Sequence, residues 1–126
     1  MRVENKGFLL SIMELGGYPN MQPLYEKLGY NVETVTSMRK ALRVIKQKSP
    51  SVIVAEFNFQ SDFRDRTSSL ETLMAVVQQQ SGTRVIVFYE KEYLHQFEKI
   101  KGRFDFYATL YYPIDEELLS RKLEEI

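Results

Sequence analysis

The chain contains no cysteine. Disulfides, thiolate metal sites and cysteine nucleophiles are therefore excluded together. Its single histidine, His95, has no serine or aspartate constellation in sequence around it, so a catalytic triad has no support. No apolar run approaches the ~20 residues that cross a bilayer. The N-terminal stretch MRVENKGFLLSIMEL has a short apolar run broken by Ser11 and closed by Glu14. Lacking a small-residue cleavage site, it does not read as a signal peptide. Neither charge sign is in excess, with 17 Lys+Arg against 17 Asp+Glu. No global field thus draws nucleic acid or an anionic membrane. Gly16-Gly17 belongs to neither G-x-x-x-x-G-K-[ST] nor G-x-G-x-x-G, so a phosphate cradle has little support. These absences predict a cytoplasmic protein that uses no cofactor, nucleic acid or membrane.

What is present suits one domain. At 126 residues the chain leaves no length for a second. A chain of this size buries roughly two-thirds of the surface it exposes when unfolded, enough for a real core. With 44% hydrophobic and 27% charged residues, it has the composition of a globular protein.

Strand and helix patterns alternate. FLLSIM (Phe8 to Met13) reads as a buried strand, followed by a loop marked by Gly16, Gly17 and Pro19. A short helix begins near Pro23, tolerated in a first turn, runs to about Leu28 and stops at Gly29. VETVT (Val32 to Thr36) alternates like an edge strand. Ser37 caps a helix with Met38, Ala41, Leu42 and Ile45 on one stripe, and Ser49-Pro50 ends it. SVIVAEFN (Ser51 to Asn58) is apolar and β-branched until Glu56, as in a strand buried on both faces.

After a polar loop, Ser68 and Glu71 form a capping-box pair. They open a helix bearing Leu70, Leu73, Met74 and Val77, closed by Gly82. RVIVFY (Arg84 to Tyr89) is a fourth strand. Tyr93, Leu94, Phe97 and Ile100 space a fourth helix, ended by Gly102. FYATLYY (Phe106 to Tyr112) is a fifth strand. Pro113 and the N-cap Asp115 start a last helix with Leu119, Leu123 and Ile126. The pattern predicts an α/β, (βα)5 doubly wound fold: a five-stranded parallel sheet with helices on both faces. In such sheets, ligands collect beyond the carboxyl ends of the strands, where Glu56 falls.

The layout resembles the receiver domain of two-component response regulators, the CheY-like family, over essentially the whole chain, and the resemblance implies the flavodoxin-like strand order 2-1-3-4-5. The likeness is carried by Gly29, Tyr30 and Val32, by the SP-S-VIVAE approach to the third strand, by RVIVFYE, and by LYYPIDEELL. At its diagnostic positions the chain departs from that family. The acid pair that holds Mg²⁺ matches Ile12 and Met13, which offer no hard oxygen, whereas Mg²⁺ takes several. Glu14 lies next along. The phospho-accepting aspartate matches Glu56. The Ser/Thr ending the fourth strand matches Tyr89, the Lys before the proline matches Tyr112, and the aromatic switch matches Thr109. Phosphoryl transfer relies on positioning and charge neutralisation, and losing one such group typically costs a factor of about 10² or more. The resemblance therefore implies a degenerate receiver, a pseudo-receiver without metal site or catalytic residue.

Several residues keep two readings. Glu56 either imitates a phosphorylated aspartate or is a strand-end acid bonded locally. Ile12, Met13, Tyr89 and Tyr112 are expected to form the degenerate pocket, filled by aromatic bulk or lining a small-molecule site. Phe57 and Phe59 lie close by in sequence. Tyr93, Phe97, Tyr107 and Tyr111 offer either ordinary packing or a partner-binding face, as does Phe63 in the charged segment Gln60 to Ser69. Asp62 and Asp65 are poor metal ligands beside Arg64 and Arg66. The basic second helix (Arg39, Lys40, Arg43, Lys46, Lys48) reads as a solvated face. The expected function is a non-enzymatic, phosphorylation-independent signalling module. It would bind a protein partner, such as a second copy, through the helix 4/strand 5/helix 5 face. Two alternatives stay open. One is an atypical receiver still regulated by phosphate or metal through Glu14, Glu56 or Asp62. The other is a flavodoxin-like small-molecule binder or enzyme using tyrosine-lined strand ends.

Overall fold

The structure is a computed structural model, and it describes residues 7–14, 20–57, 69–80 and 82–126. Five strands, β1 (Gly7–Ile12), β2 (Tyr30–Val35), β3 (Val52–Glu56), β4 (Arg84–Tyr89) and β5 (Ala108–Tyr111), form one sheet. All neighbours are parallel, in the order β2-β1-β3-β4-β5. Five helices alternate with them: α1 (Gln22–Lys27), α2 (Met38–Lys48), α3 (Ser69–Val77), α4 (Leu94–Lys101) and α5 (Glu116–Glu124). A 3₁₀ turn, Lys91–Tyr93, leads into α4. The expected class and strand order hold, with β2 at an edge.

Each face of the sheet has its own core. Leu10, Ile12, Ile53, Ala55, Val85, Val87 and Tyr89 pack with side chains of α2, α3 and α4. Leu9, Val52, Val54, Ile86, Phe88 and Leu110 pack with those of α1 and α5. Successive residues of β3 therefore alternate between two cores, and the whole strand is buried. That is why its sequence is apolar without a break.

Local signals explain most boundaries. Proline stands in the first turn of α1, where a missing N–H is harmless. Gly29 then takes a left-handed φ of 101°, turning the chain directly into β2. This is why β2 starts at Tyr30, paired with Gly7, instead of at Val32. Ser37 accepts from the Lys40 amide at the start of α2. Asp115 accepts from the Glu117 and Leu118 amides at the start of α5.

Three details differ from expectation. Helix α3 ends at Val77, five residues before Gly82, so that glycine serves the turn into β4 and does not cap the helix. Gly102 ends α4 in a right-handed conformation. β5 is shorter than FYATLYY, although the amides of Tyr107 and Tyr112 still donate to Val85 and Tyr89 beside it. The Tyr112–Pro113 peptide is cis. The Ser68 half of the capping box lies outside the described residues.

Candidate functional site

At the carboxyl ends of the central strands is a small pocket of about 250 Å³, counting its open mouth. Ser11, Ile12 and Met13 come from the end of β1, Val54, Ala55 and Glu56 from β3, and Phe88 from β4. Met21 and Tyr25 cover it from α1. Parallel register accounts for this gathering, because Ser11 pairs with Val54 and Glu56 with Phe88.

The lining is oily with few polar groups. Ile12 is buried and Met13 half-buried. Glu56 is 4% exposed, and its Oε2 is shielded from solvent. Ser11 is the other buried polar side chain among the described residues. The Tyr25 ring is buried, and that burial pushes its phenol above the ordinary value. Mg²⁺ requires several oxygen ligands in near-octahedral array. One carboxylate among isoleucine, methionine and phenylalanine does not supply them. Among the described residues, no three His, Asp or Glu side chains gather into a metal-holding group. Glu14 is half-buried beyond β1, while Asp62 and Asp65 lie outside the described residues.

The remaining sequence-derived residues divide. Tyr89 does not line the pocket. Its side chain points to the opposite sheet face from Phe88, a consequence of strand alternation. There it stacks on Phe97 at 4.7 Å, while Phe97 meets Phe57 at 5.2 Å and Phe106 at 5.9 Å. Burial, then the Tyr111 and Glu98 side chains, raise the Tyr89 phenol. Aromatic bulk has thus filled space on the α4 side of the sheet. Tyr112 is 48% exposed and does not line this pocket, correcting its expected place there. Thr109 is half-buried in β5, opposite Val87.

The residues expected at the partner face also divide. Phe97 is fully buried and contributes packing, because its helix turns that position onto β4. Tyr93 is half-buried against the same core. Tyr107 sits at the amino end of β5, far from Tyr111 along the strand, and its hydroxyl donates to the Lys122 carbonyl at 2.6 Å. Tyr111 is 46% exposed, with the Lys91 ammonium 4.2 Å from its ring centre. Phe63 and Phe59 lie outside the described residues. Leu94, expected on the apolar stripe of the fourth helix, and Leu118, which the sequence pattern passed over, are each 39% exposed on α4 and α5. A signal existed for one of them. With Leu119 assigned to the core, its neighbour Leu118 had to point about 100° away.

No family model and no curated protein sequence matches this chain. Its structural likenesses are to receiver domains. The receiver domain of a response regulator from Clostridium thermocellum superposes with a TM-score of 0.73 at 18% identity, covering 94% of this chain and 91% of that one. The regulatory domain of the repressor of iron transport regulator, in its inactive form, gives 0.72 at 17%, covering 94% and 93%. The signal receiver domain of a LuxO repressor protein from Vibrio parahaemolyticus gives 0.69 at 16%, covering 93% and 86%. The chain has the fold of a response regulator receiver domain.

Proposed function

We propose that this chain is a receiver-like signalling module that acts by protein contact and has lost aspartyl phosphorylation and its Mg²⁺ site. The observation that carries this reading is the strand-end pocket, where Glu56 stands among Ile12, Met13 and Phe88. A phosphoryl group there would lack both the metal and the lysine that neutralise its charge, since Tyr112 stands before Pro113. Glu56 is a structural acid or a fixed imitation of a charged aspartate, and in neither role does it switch. The module catalyses nothing itself and works in the cytoplasm, bound to a protein partner. A second copy docks on the edge formed by α4, β5 and α5, where Leu94, Tyr111, Tyr112 and Leu118 are exposed. The reading as a small-molecule site is less well supported, because the space inside the pocket that water-sized centres can occupy is about 10 Å³, room for about one water.

The test is an amide-resolved titration with millimolar Mg²⁺ and a phosphate mimic, together with the solution mass. Amides around Glu56 are expected to stay unmoved, and the mass is expected to double at micromolar protein. Saturable shifts at Ile12, Met13 and Glu56 would overturn the loss of the switch. A monomeric mass, unchanged by Tyr111→Glu, would overturn the dimer.

A further inference from the structure

The basic helix α2 carries more charge than its own folding accounts for. Between Glu33 and Glu56 the chain has no acid, yet α2 alone holds Arg39, Lys40, Arg43, Lys46 and Lys48 in a protein of zero net charge. Its core-facing side is apolar, with Ala41, Val44 and Ile45 buried. Lys48 pairs with Glu33 at 3.0 Å. Arg39, Lys40, Arg43 and Lys46 are exposed and take part in no ion pair among the described residues.

Helix physics opposes this arrangement. Arg39 and Lys40 stand in the first turn, where the macrodipole favours acids, and α2 has no acid there. Arg39 and Arg43 are a like-charged i,i+4 pair, which destabilises a helix. Only Lys46 and Lys48, in the last turn, complement the dipole. At about 100° per residue, Arg39, Arg43 and Lys46 fall within roughly 60° of each other and span about 10 Å along the axis. They form one outward stripe.

We propose that this stripe docks an acidic helical segment of another protein, one carrying carboxylates at i, i+4 and i+7. Such a segment matches the three cations in spacing and sign. A second copy is a poorer occupant, because no helix among the described residues carries acids at i, i+4 and i+7: on α5, Arg121 stands between Glu117 and Glu124. Nucleic acid is disfavoured by the balanced total charge and by the lack of an exposed ring on α2. A lipid surface is disfavoured because the exposed large apolar side chains sit on α4, α5 and the end of β5. Helix α2 packs beside β1 and β2, at the other end of the sheet from β5. Docking there is therefore independent of the proposed dimer edge.

Fluorescence anisotropy tests this with a labelled helical peptide bearing glutamates at i, i+4 and i+7, beside an isomer with the same residues scrambled. Saturable binding of the patterned peptide is expected, weakening roughly tenfold for the scrambled one and for an Arg39→Gln/Arg43→Gln/Lys46→Gln variant. A lysine-patterned peptide is expected to bind the Arg39→Glu/Arg43→Glu/Lys46→Glu variant. The glutamine variant should melt no lower than the parent, and a lower melting point would return these cations to the fold. Equal affinity for the scrambled peptide would overturn the proposal. So would tighter binding to a short DNA duplex or to phosphatidylserine vesicles, or self-association that the glutamine variant abolishes.

Discussion

The ring of Tyr89 lies on the ring of Phe97, centroids 4.7 Å apart and planes 25° from parallel. In the receiver pattern the position of Tyr89 carries a small hydroxyl that holds a phosphoryl oxygen. Here it carries a ring that holds α4 to the sheet, with Tyr111 against it at 6.1 Å. The strand end is occupied by a packing contact, and the energy of that contact is measurable.

Placing a small hydroxyl at this position should therefore weaken the fold. Tyr89→Thr removes most of a buried ring beside Phe97 and is expected to lose about 2–4 kcal/mol in urea unfolding. Phe97→Ala, at the centre of the aromatic group, is expected to lose about 3–5 kcal/mol. Tyr89→Phe keeps the ring and should change stability by less than about 1 kcal/mol. Equal losses for Tyr89→Thr and Tyr89→Phe would mean that the hydroxyl, not the ring, anchors the site.

The entry to β1 depends on a glycine for two reasons. Gly7 has φ of 107°, and a Cβ there would lie 2.7 Å from the Ser51 Oγ. That hydroxyl donates to the Phe8 carbonyl at 3.1 Å. Gly7→Ala is expected to destabilise by about 1–3 kcal/mol, read as a lower melting temperature. Adding Ser51→Gly relieves the clash but not the left-handed backbone, so recovery should be partial. Complete recovery would show that the conformation carries no strain.

Two tyrosines secure the end of α5. The Tyr30 hydroxyl donates to the Leu123 carbonyl at 3.0 Å, and that of Tyr107 to the Lys122 carbonyl. These carbonyls fall in the last turn of the helix, where backbone donors run short; the Leu123 carbonyl also accepts from the Ile126 amide, at 3.4 Å. Tyr30→Phe and Tyr107→Phe should each lose roughly 0.5–1.5 kcal/mol. Amide exchange should speed up first at Glu125 and Ile126. Uniform exchange across the sheet, with no local effect, would contradict this role.

The fold was legible because its signals are local and repeated. The unbroken apolar run of β3 requires two covered faces, and Ser37, Asp115, Gly29 and Pro23 mark helix limits through backbone chemistry alone. The pocket was legible at Ile12, Met13 and Glu56, since parallel register brings the ends of β1 and β3 together. Side-chain direction was not. Tyr89 and Phe88 differ by one position and so face opposite cores, a distinction that depends on strand parity and not on residue type. Exposure was harder still. Phe97 and Tyr111 are both aromatic and near one another, and only the packing of α4 on β4 buries one and leaves the other in solvent. Tyr25, which lines the pocket, gave no sequence signal beyond its place on the first helix.

The buried phenols set an alkaline limit on stability. Burial raises Tyr25 well above its ordinary value of 10.0, and it also raises Tyr30, Tyr89 and Tyr107. A phenol whose folded pKa exceeds its unfolded one stays protonated longer in the native state, so the native state holds more protons. Its contribution is complete below pH ~10 and is lost as the pH rises from there through the folded value. The urea midpoint is therefore expected to fall above pH ~10, with tyrosinate absorbance appearing together with loss of helical circular dichroism. Tyr25→Phe removes the largest of these effects and should flatten that slope. A slope identical to the parent's would mean that the Tyr25 hydroxyl reaches water in the native fold.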